Sequence, residues 1–234
     1  MSQFFFGQIN RRFSELGTPY RNRYRQIAIV GVGGIGYWIS LLSALTQPRL
    51  IILIDPDTVE LHNLNRIFLP ITTNEEPKVF AVYKFLTSFF KHIHVIPIYN
   101  SVEKIPITFF KYLPPEDMLL ISCTDRPLTD RYVFILAKEL RTAYLNVNYD
   151  LVGDTFFISV LFIPARYITE YEPTIVSTDE RQTYTTIPAY GNMALLSALL
   201  GLDIALKYTK PAYFYINSDK LYEFLEKNTL KLGE

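Results

Sequence analysis

The chain has 234 residues, 49% of them hydrophobic, enough to bury a substantial core, and its length favours one large domain over two small ones. Lysine plus arginine equals aspartate plus glutamate at 23 each, so no bulk positive field attracts nucleic acid or an anionic membrane; charge-based binding has to be local. The single cysteine, Cys123, excludes an intramolecular disulfide framework and a multi-cysteine zinc site, and it points to a reducing, cytoplasmic setting.

Met1-Ser2-Gln3-Phe4-Phe5-Phe6-Gly7 lacks a basic leader and a sustained apolar stretch, and residues 1–25 read as an N-terminal arm of the mature protein. Residues 26–163 are expected to form the core. A β-branched apolar run from Gln26 to Val30, ending in Gly31, has the pattern of a strand buried on both faces. A helix from Ile35 to Leu45 and a second buried strand from Leu50 to Ile54 complete a βαβ unit. After a loop from Pro56 to Glu76, Pro77 opens a helix in which Val79, Val82, Phe85, Leu86, Phe89 and Phe90 recur at helical spacing.

His94 to Tyr99 and Met118 to Cys123 read as further strands, followed by a helix from Pro127 to Arg141 and a strand from Ala143 to Tyr149. This alternation predicts a Rossmann-like α/β fold, a mostly parallel sheet with helices on both faces. Gly153-Asp154 then breaks the pattern, so Thr155 to Ile163 is expected to return antiparallel. Residues 164–188 are polar and aperiodic, the pattern of a long crossover loop. Residues 189–234 complete the same domain with a helix from Ala189 to Tyr208, a strand near Ala212 to Ile216 and a helix around Asp219 to Lys227. Met193 to Leu206 is apolar but shorter than a bilayer requires and is interrupted by Gly201 and Asp203, so it reads as a buried helix.

Two features carry chemistry. Gly31-Val32-Gly33-Gly34-Ile35-Gly36 sets G-x-G-x-x-G between the first strand and its helix, where glycine permits a tight turn and the free amides and helix dipole attract phosphate. The structural alternative is that Gly31, Gly33, Gly34 and Gly36 only allow tight helix–strand packing. Asp55 ends the second strand about twenty residues later, where a carboxylate can accept hydrogen bonds from ribose hydroxyls, of ATP or of NAD.

The run Asp55-Pro56-Asp57-Thr58-Val59-Glu60-Leu61-His62-Asn63-Leu64-Asn65-Arg66 is more specific. It resembles the D-x-D-x-V-E-x-x-N-L-x-R signature of the ThiF/MoeB/HesA family, related to ubiquitin-activating enzymes, with Ile67 where a glutamine is usual. Pro77-Lys78 resembles the family's K-P-K helix start, Ser122-Cys123-Thr124-Asp125 its C-T-D block, and Tyr190 to Lys207 its late apolar helix. The resemblance implies a domain that binds ATP with Mg2+ and activates a carboxylate as an acyl-adenylate. Transferred by position, Asp55 holds the ribose, Asn63 or Asn65 and Arg66 the phosphates, Lys78 the phosphates and Asp125 the magnesium. Asp57 supports the adenosine site or caps the following turn.

The family also implies a homodimer in which an N-terminal arginine, Arg11 or Arg12 here, reaches the neighbouring nucleotide site. Its implied partner is the C-terminal carboxylate of a ubiquitin-like or sulfur-carrier protein, or of a peptide. The two C-x-x-C pairs that hold zinc in several relatives are missing, and so is a cysteine in the crossover loop. Cys123, at the end of an apolar strand, reads as a buried inert thiol, so adenylation is expected without an enzyme thioester. Arg131 stands six positions after Asp125, where relatives have an arginine at five, and the neighbouring Asp130 is expected to pair with it on the surface unless Arg131 lines the site. The rival readings are a catalytically silent scaffold or heterodimer subunit, and an NAD-dependent oxidoreductase resting on the glycine motif alone. His62, His92 and His94 show no metal-ligand spacing.

Overall fold

A computed structural model describes residues 23–114, 117–152, 155–172, 191–217 and 220. One seven-stranded sheet runs in the order β3-β2-β1-β4-β5-β6-β7, where β1 is Gln26–Val30, β2 Leu50–Ile54, β3 His94–Ile98, β4 Met118–Ser122, β5 Ala143–Val152, β6 Thr155–Ile163 and β7 Ala212–Asn217. Strands β1 to β5 pair in parallel, while β6 runs antiparallel to β5 and β7 antiparallel to β6. The expected mixed sheet is therefore present. Strand β1 has β2 on one side and β4 on the other, so the chain reverses its direction of travel across the sheet there, the place where open α/β sheets bind ligands beyond the strand ends.

The strands are continuous apolar runs because both faces are covered. On one face Ile27, Ile29, Ile51, Leu53, Leu119, Leu145 and Val147 pack under helices α1 (Gly34–Leu45), α2 (Lys78–Phe89) and the late helix Gly191–Lys207. On the other, Ala28, Val30, Ile52, Leu120 and Tyr144 pack under a short helix, α3 (Ile107–Lys111), and α4 (Pro127–Leu140). We call the late helix α5; it packs against α1, β5 and β6. Helix α3 was not expected, because five residues after Pro106 are too few to show a helical period. The loop Pro56 to Glu76 likewise contains two short 3-10 turns, Leu61–Asn65 and Ile71–Thr73. Strand β5 runs three residues beyond its expected end at Tyr149, because its pairing with β6 continues to Val152 opposite Thr155. The helix around Asp219 to Lys227, most of the N-terminal arm and most of the crossover loop lie outside the described residues.

The surface pairing of Asp130 with Arg131 is corrected by the structure. Ser122 Oγ donates to Asp130 Oδ1 at 2.6 Å and Thr124 Oγ1 donates to the same oxygen at 2.7 Å, while Arg131 is exposed. Asp130 lies in the first turn of α4, and the hydroxyls that hold it end β4, so a carboxylate ties that helix to the end of the strand. Sequence spacing could not show this, because it depends on which side of α4 faces the sheet.

Two predictions follow from this packing. A Cβ on Gly201 would sit 2.4 Å from Val147 Cγ2, inside the contact between α5 and β5. Gly201→Ala is expected to destabilise the fold by about 1–3 kcal/mol in urea unfolding, and the double variant with Val147→Ala to cost less than the sum of the single changes. Burial pushes the Asp130 carboxyl above its ordinary 3.8, partly offset by the Ser122 and Thr124 hydroxyls. The folded state then binds the extra proton, and stability from this group is lost as pH rises from about 4 through the raised value. Asp130→Asn keeps an acceptor and cannot ionise, so its stability relative to wild type should climb from acidic to neutral pH in parallel thermal melts. A flat or falling difference would refute this.

Candidate functional site

The glycine turn follows directly from steric limits. Gly31 has φ of +85°, and a Cβ there would lie 2.6 Å from the Cys123 carbonyl oxygen. A Cβ on Gly36 would lie 1.8 Å from the Gly31 carbonyl oxygen, so any side chain would push the first turn of α1 off the turn that precedes it. In front of Gly33 nothing stands within 4 Å of a built Cβ. The first turn of α1 has no side-chain cap and no acidic residue, which leaves its amides and the positive end of its dipole without an anion.

Asp55 braces this turn. It is buried at the end of β2, where its Oδ2 accepts the Val32 amide at 2.6 Å and its Oδ1 accepts the Asp57 amide at 2.8 Å. Burial raises its pKa, while the Lys78 charge and the two amides act to lower it. Both oxygens expected to meet a ribose thus already hold backbone, though each keeps a second lone pair.

Lys78 begins α2, which returns to the end of β2 through a bridge between Thr58 and Pro77. Its main-chain amide donates to the Asp57 carbonyl at 2.9 Å, and Nζ pairs with Asp57 Oδ2 at 2.9 Å. The Lys78 side chain is 12% exposed against 55% for Asp57, so the lysine stem is packed. The Asp57 carboxylate is thus turned to Lys78 at the start of α2, a contact outside both uses expected of it from the sequence.

The structure separates the two asparagines. Asn63 is buried and its Oδ1 accepts the Glu60 amide at 3.0 Å, within a capping box that shapes the 3-10 turn. Asn65 is exposed, and its Oδ1 accepts from Arg66 Nη1 at 3.3 Å. Trp38 Nε1 donates to the Arg66 carbonyl at 3.0 Å and Tyr37 Oη to the Phe68 carbonyl at 2.7 Å, so α1 holds the loop that carries Arg66. The Arg66 side chain crosses the helix start, with Cδ 3.0 Å from a Cβ built on Gly34.

On the other side of the turn, Thr124 and Asp125 follow β4. Asp125 is exposed and has no hydrogen bond or ion pair among the described residues. Burial and the nearby Asp130 charge push the Cys123 thiol well up, so a thiolate there is disfavoured. Tyr149, read from the sequence only as a strand end, also reaches this place: its Oη is 3.3 Å from a Cβ built on Gly34, and its ionisation is sensitive to both Arg66 and Asp125. Its signal was the alternation of β5, which puts it on the same face as Val147. Arg11 and Arg12 lie outside the described residues. Lys78 thus acts on Asp55, which braces the turn, Asp125 follows β4 close enough to act on Tyr149, and Arg66 lies over the helix start. A separate open recess of about 700 Å³, lined by Arg25, Arg49, His94 and Asp117 among others, lies at the opposite, amino-terminal ends of the strands. No group of three or more histidine, cysteine, aspartate or glutamate side chains placed to hold a metal occurs among the described residues.

Known proteins resemble this chain in sequence and in fold. The catalytic subunit of the NEDD8-activating enzyme E1 of Schizosaccharomyces pombe is 34% identical over 87 residues, 37% of this chain and 20% of that protein. A crystal structure of PaaA superposes with a TM-score of 0.67 and 19% identity, covering 93% of this chain and 72% of that one. E. coli MccB in its complex with ATP gives 0.62 and 21% identity over 86% of this chain and 63% of that one, and MccB with MccA-N7isoASN gives 0.64 and 22% over 86% and 64%. The chain thus spans about a fifth of the length of the NEDD8-activating subunit and under two thirds of MccB. These likenesses carry the fold, and the family rests on the sequence itself: with its model matched over residues 8–226, the chain belongs to the ThiF family.

Proposed function

We propose that this chain binds ATP on the glycine turn and activates the C-terminal carboxylate of a ubiquitin-like or sulfur-carrier protein, or of a peptide, as an acyl-adenylate. The observation that carries the reading is the uncapped first turn of α1 with Arg66 across its start, Lys78 acting on the Asp55 that braces it and Asp125 acting on the Tyr149 beside it. Forming an acyl-adenylate joins a carboxylate oxygen to the α-phosphorus and breaks the bond from that phosphorus to the bridging oxygen of pyrophosphate. A protein accelerates this by aligning the two reactants and offsetting charge. The α1 amides and Lys78 would hold phosphate oxygens, Arg66 would close over them, and Asn65 would orient Arg66. Asp55 would offer its remaining lone pairs to the ribose, and Asn63 would act by shaping the loop.

An exposed carboxylate with no partner among the described residues fits a magnesium ion, which is commonly held by one or two carboxylates together with phosphate oxygens. Asp125 would hold it, and the ion would supply charge neutralisation. Cys123 is partly buried and its thiol is pushed well up, which supports adenylation without an enzyme thioester. E. coli MccB is known in complex with ATP and with N-formylated MccA, which supports a nucleotide and a peptide end as the ligand classes. In the same proposal the chain works as a homodimer, with Arg11 or Arg12 supplied to the partner's site.

ATP–pyrophosphate exchange, measured with a panel of small proteins and peptides carrying free C-termini, tests the reading. Exchange is expected with the matching carboxylate, and Lys78→Ala and Asp125→Ala should each lower it at least tenfold, as loss of a contact worth about 1.5–3 kcal/mol requires. Cys123→Ala should leave exchange within about twofold. Unchanged exchange in both site variants would remove the assignment; tight ATP binding with no exchange for any partner would favour a silent scaffold, and preference for NAD in calorimetry an oxidoreductase.

A further inference from the structure

Tyr149 stands outside every role assigned so far, yet its hydroxyl lies at the mouth of the turn. The ring stacks on Phe156, with centroids 5.6 Å apart and planes at 25°, and packs against the core on the α1 face. Its Oη falls 3.3 Å from a Cβ built on Gly34, beside the amides that begin α1. That hydroxyl has no hydrogen-bond partner among the described residues, whereas Tyr37 Oη in α1 donates to the Phe68 carbonyl at 2.7 Å and Tyr144 Oη, on the other face of the sheet, to the Asp130 carbonyl at 3.3 Å. The hydroxyl is not sealed from solvent, and the start of α1 lies beside it.

We infer that Tyr149 is a phosphate-binding residue of this site, its hydroxyl donating a hydrogen bond to an oxygen of a phosphate chain lying on the first turn of α1. The inference rests on the nucleotide reading above. Tyr149 lies close enough to Arg66 and to Asp125 for both charges to act on it, which puts it between the cation expected on the phosphates and the carboxylate expected on the metal. Burial raises its pKa, so at neutral pH the group keeps the proton it would donate. Stacking on Phe156 fixes the ring before any ligand arrives, so the donor needs little ordering on binding, the condition under which a hydrogen bond to a charged oxygen is most effective.

Tyr149→Phe keeps the ring and its stacking and removes only the hydroxyl. In competition binding against a fluorescent ATP analogue, with magnesium present, the variant is expected to bind ATP about tenfold more weakly than wild type while its affinity for adenosine stays within about twofold. Tyr144→Phe, which removes a hydroxyl directed at α4 on the other face of the sheet, should leave ATP affinity unchanged and controls for small losses of stability. Equal ATP affinity for Tyr149→Phe and wild type overturns the inference while leaving the nucleotide reading intact. Parallel losses for ATP and adenosine, or a loss matched by Tyr144→Phe, also overturn it, since they mark a structural effect. If wild type itself fails to bind ATP, the nucleotide reading falls, and the inference with it.

Discussion

The site depends on how closely α1 begins behind the turn that leaves β1. A Cβ on Gly36 would come within 1.8 Å of the Gly31 carbonyl oxygen, and one on Gly31 within 2.6 Å of the Cys123 carbonyl oxygen. Backbone atoms meet backbone atoms at both places, so neither contact can be relieved by turning a side chain. The start of α1 is thereby held just past the end of β1, and the Asp55 carboxylate braces the turn before it by accepting the Val32 amide at 2.6 Å. Everything else at the site is placed relative to this start: α2 by the bridge from Thr58 to Pro77, the Arg66 loop by Trp38 and Tyr37 of α1, and Tyr149 by its pairing with Ile158 of β6 and its stacking on Phe156.

Much of this was legible because it depends on local rules. The doubly buried strands Gln26–Val30 and Leu50–Ile54 end where their apolar runs end, and the glycines mark the turn whose geometry demands them. What could not be read depends on contacts between distant elements. Asp130 looked like the surface partner of Arg131 because the two are adjacent in sequence, whereas the side of α4 that meets β4 brings it to Ser122 and Thr124. Asn63 and Asn65 could not be told apart by spacing, since the difference lies in a 3-10 turn that buries one and exposes the other. Tyr149 carried no motif at all; its importance appears only once β5 is set beside β4 with the correct face toward α1.

The net charge of zero gains meaning in this light. A chain without a bulk field must bring any polyanion in through local groups, and the cations of the site are held in reserve by weak or exchangeable partners. Lys78 is paired with a half-exposed Asp57, and Arg66 makes contacts of only 3.3 Å with His62 and Asn65. The Arg66 contacts are long and neutral, and the Asp57 carboxylate is half open to water, so both partners can be exchanged. A phosphate group replacing Asp57 on Lys78 would exchange one anion for another of higher charge, and Asp57 could return to water at its exposed edge.

Asp125 presents the opposite problem, and its solution limits the chemistry the site can perform. A carboxylate exposed beside the positive end of α1 is favourable alone, but next to a bound triphosphate it is repulsive, by about 1 kcal/mol per pair of unit charges at 4 Å in water and more where water is thinned out. A site evolved only to hold phosphate would do better with a neutral side chain at this position. In the proposed function Asp125 would hold a divalent cation, which would supply the charge neutralisation that offsets this repulsion. Under the proposed function the Asp125 carboxylate would therefore serve the metal rather than the phosphates themselves.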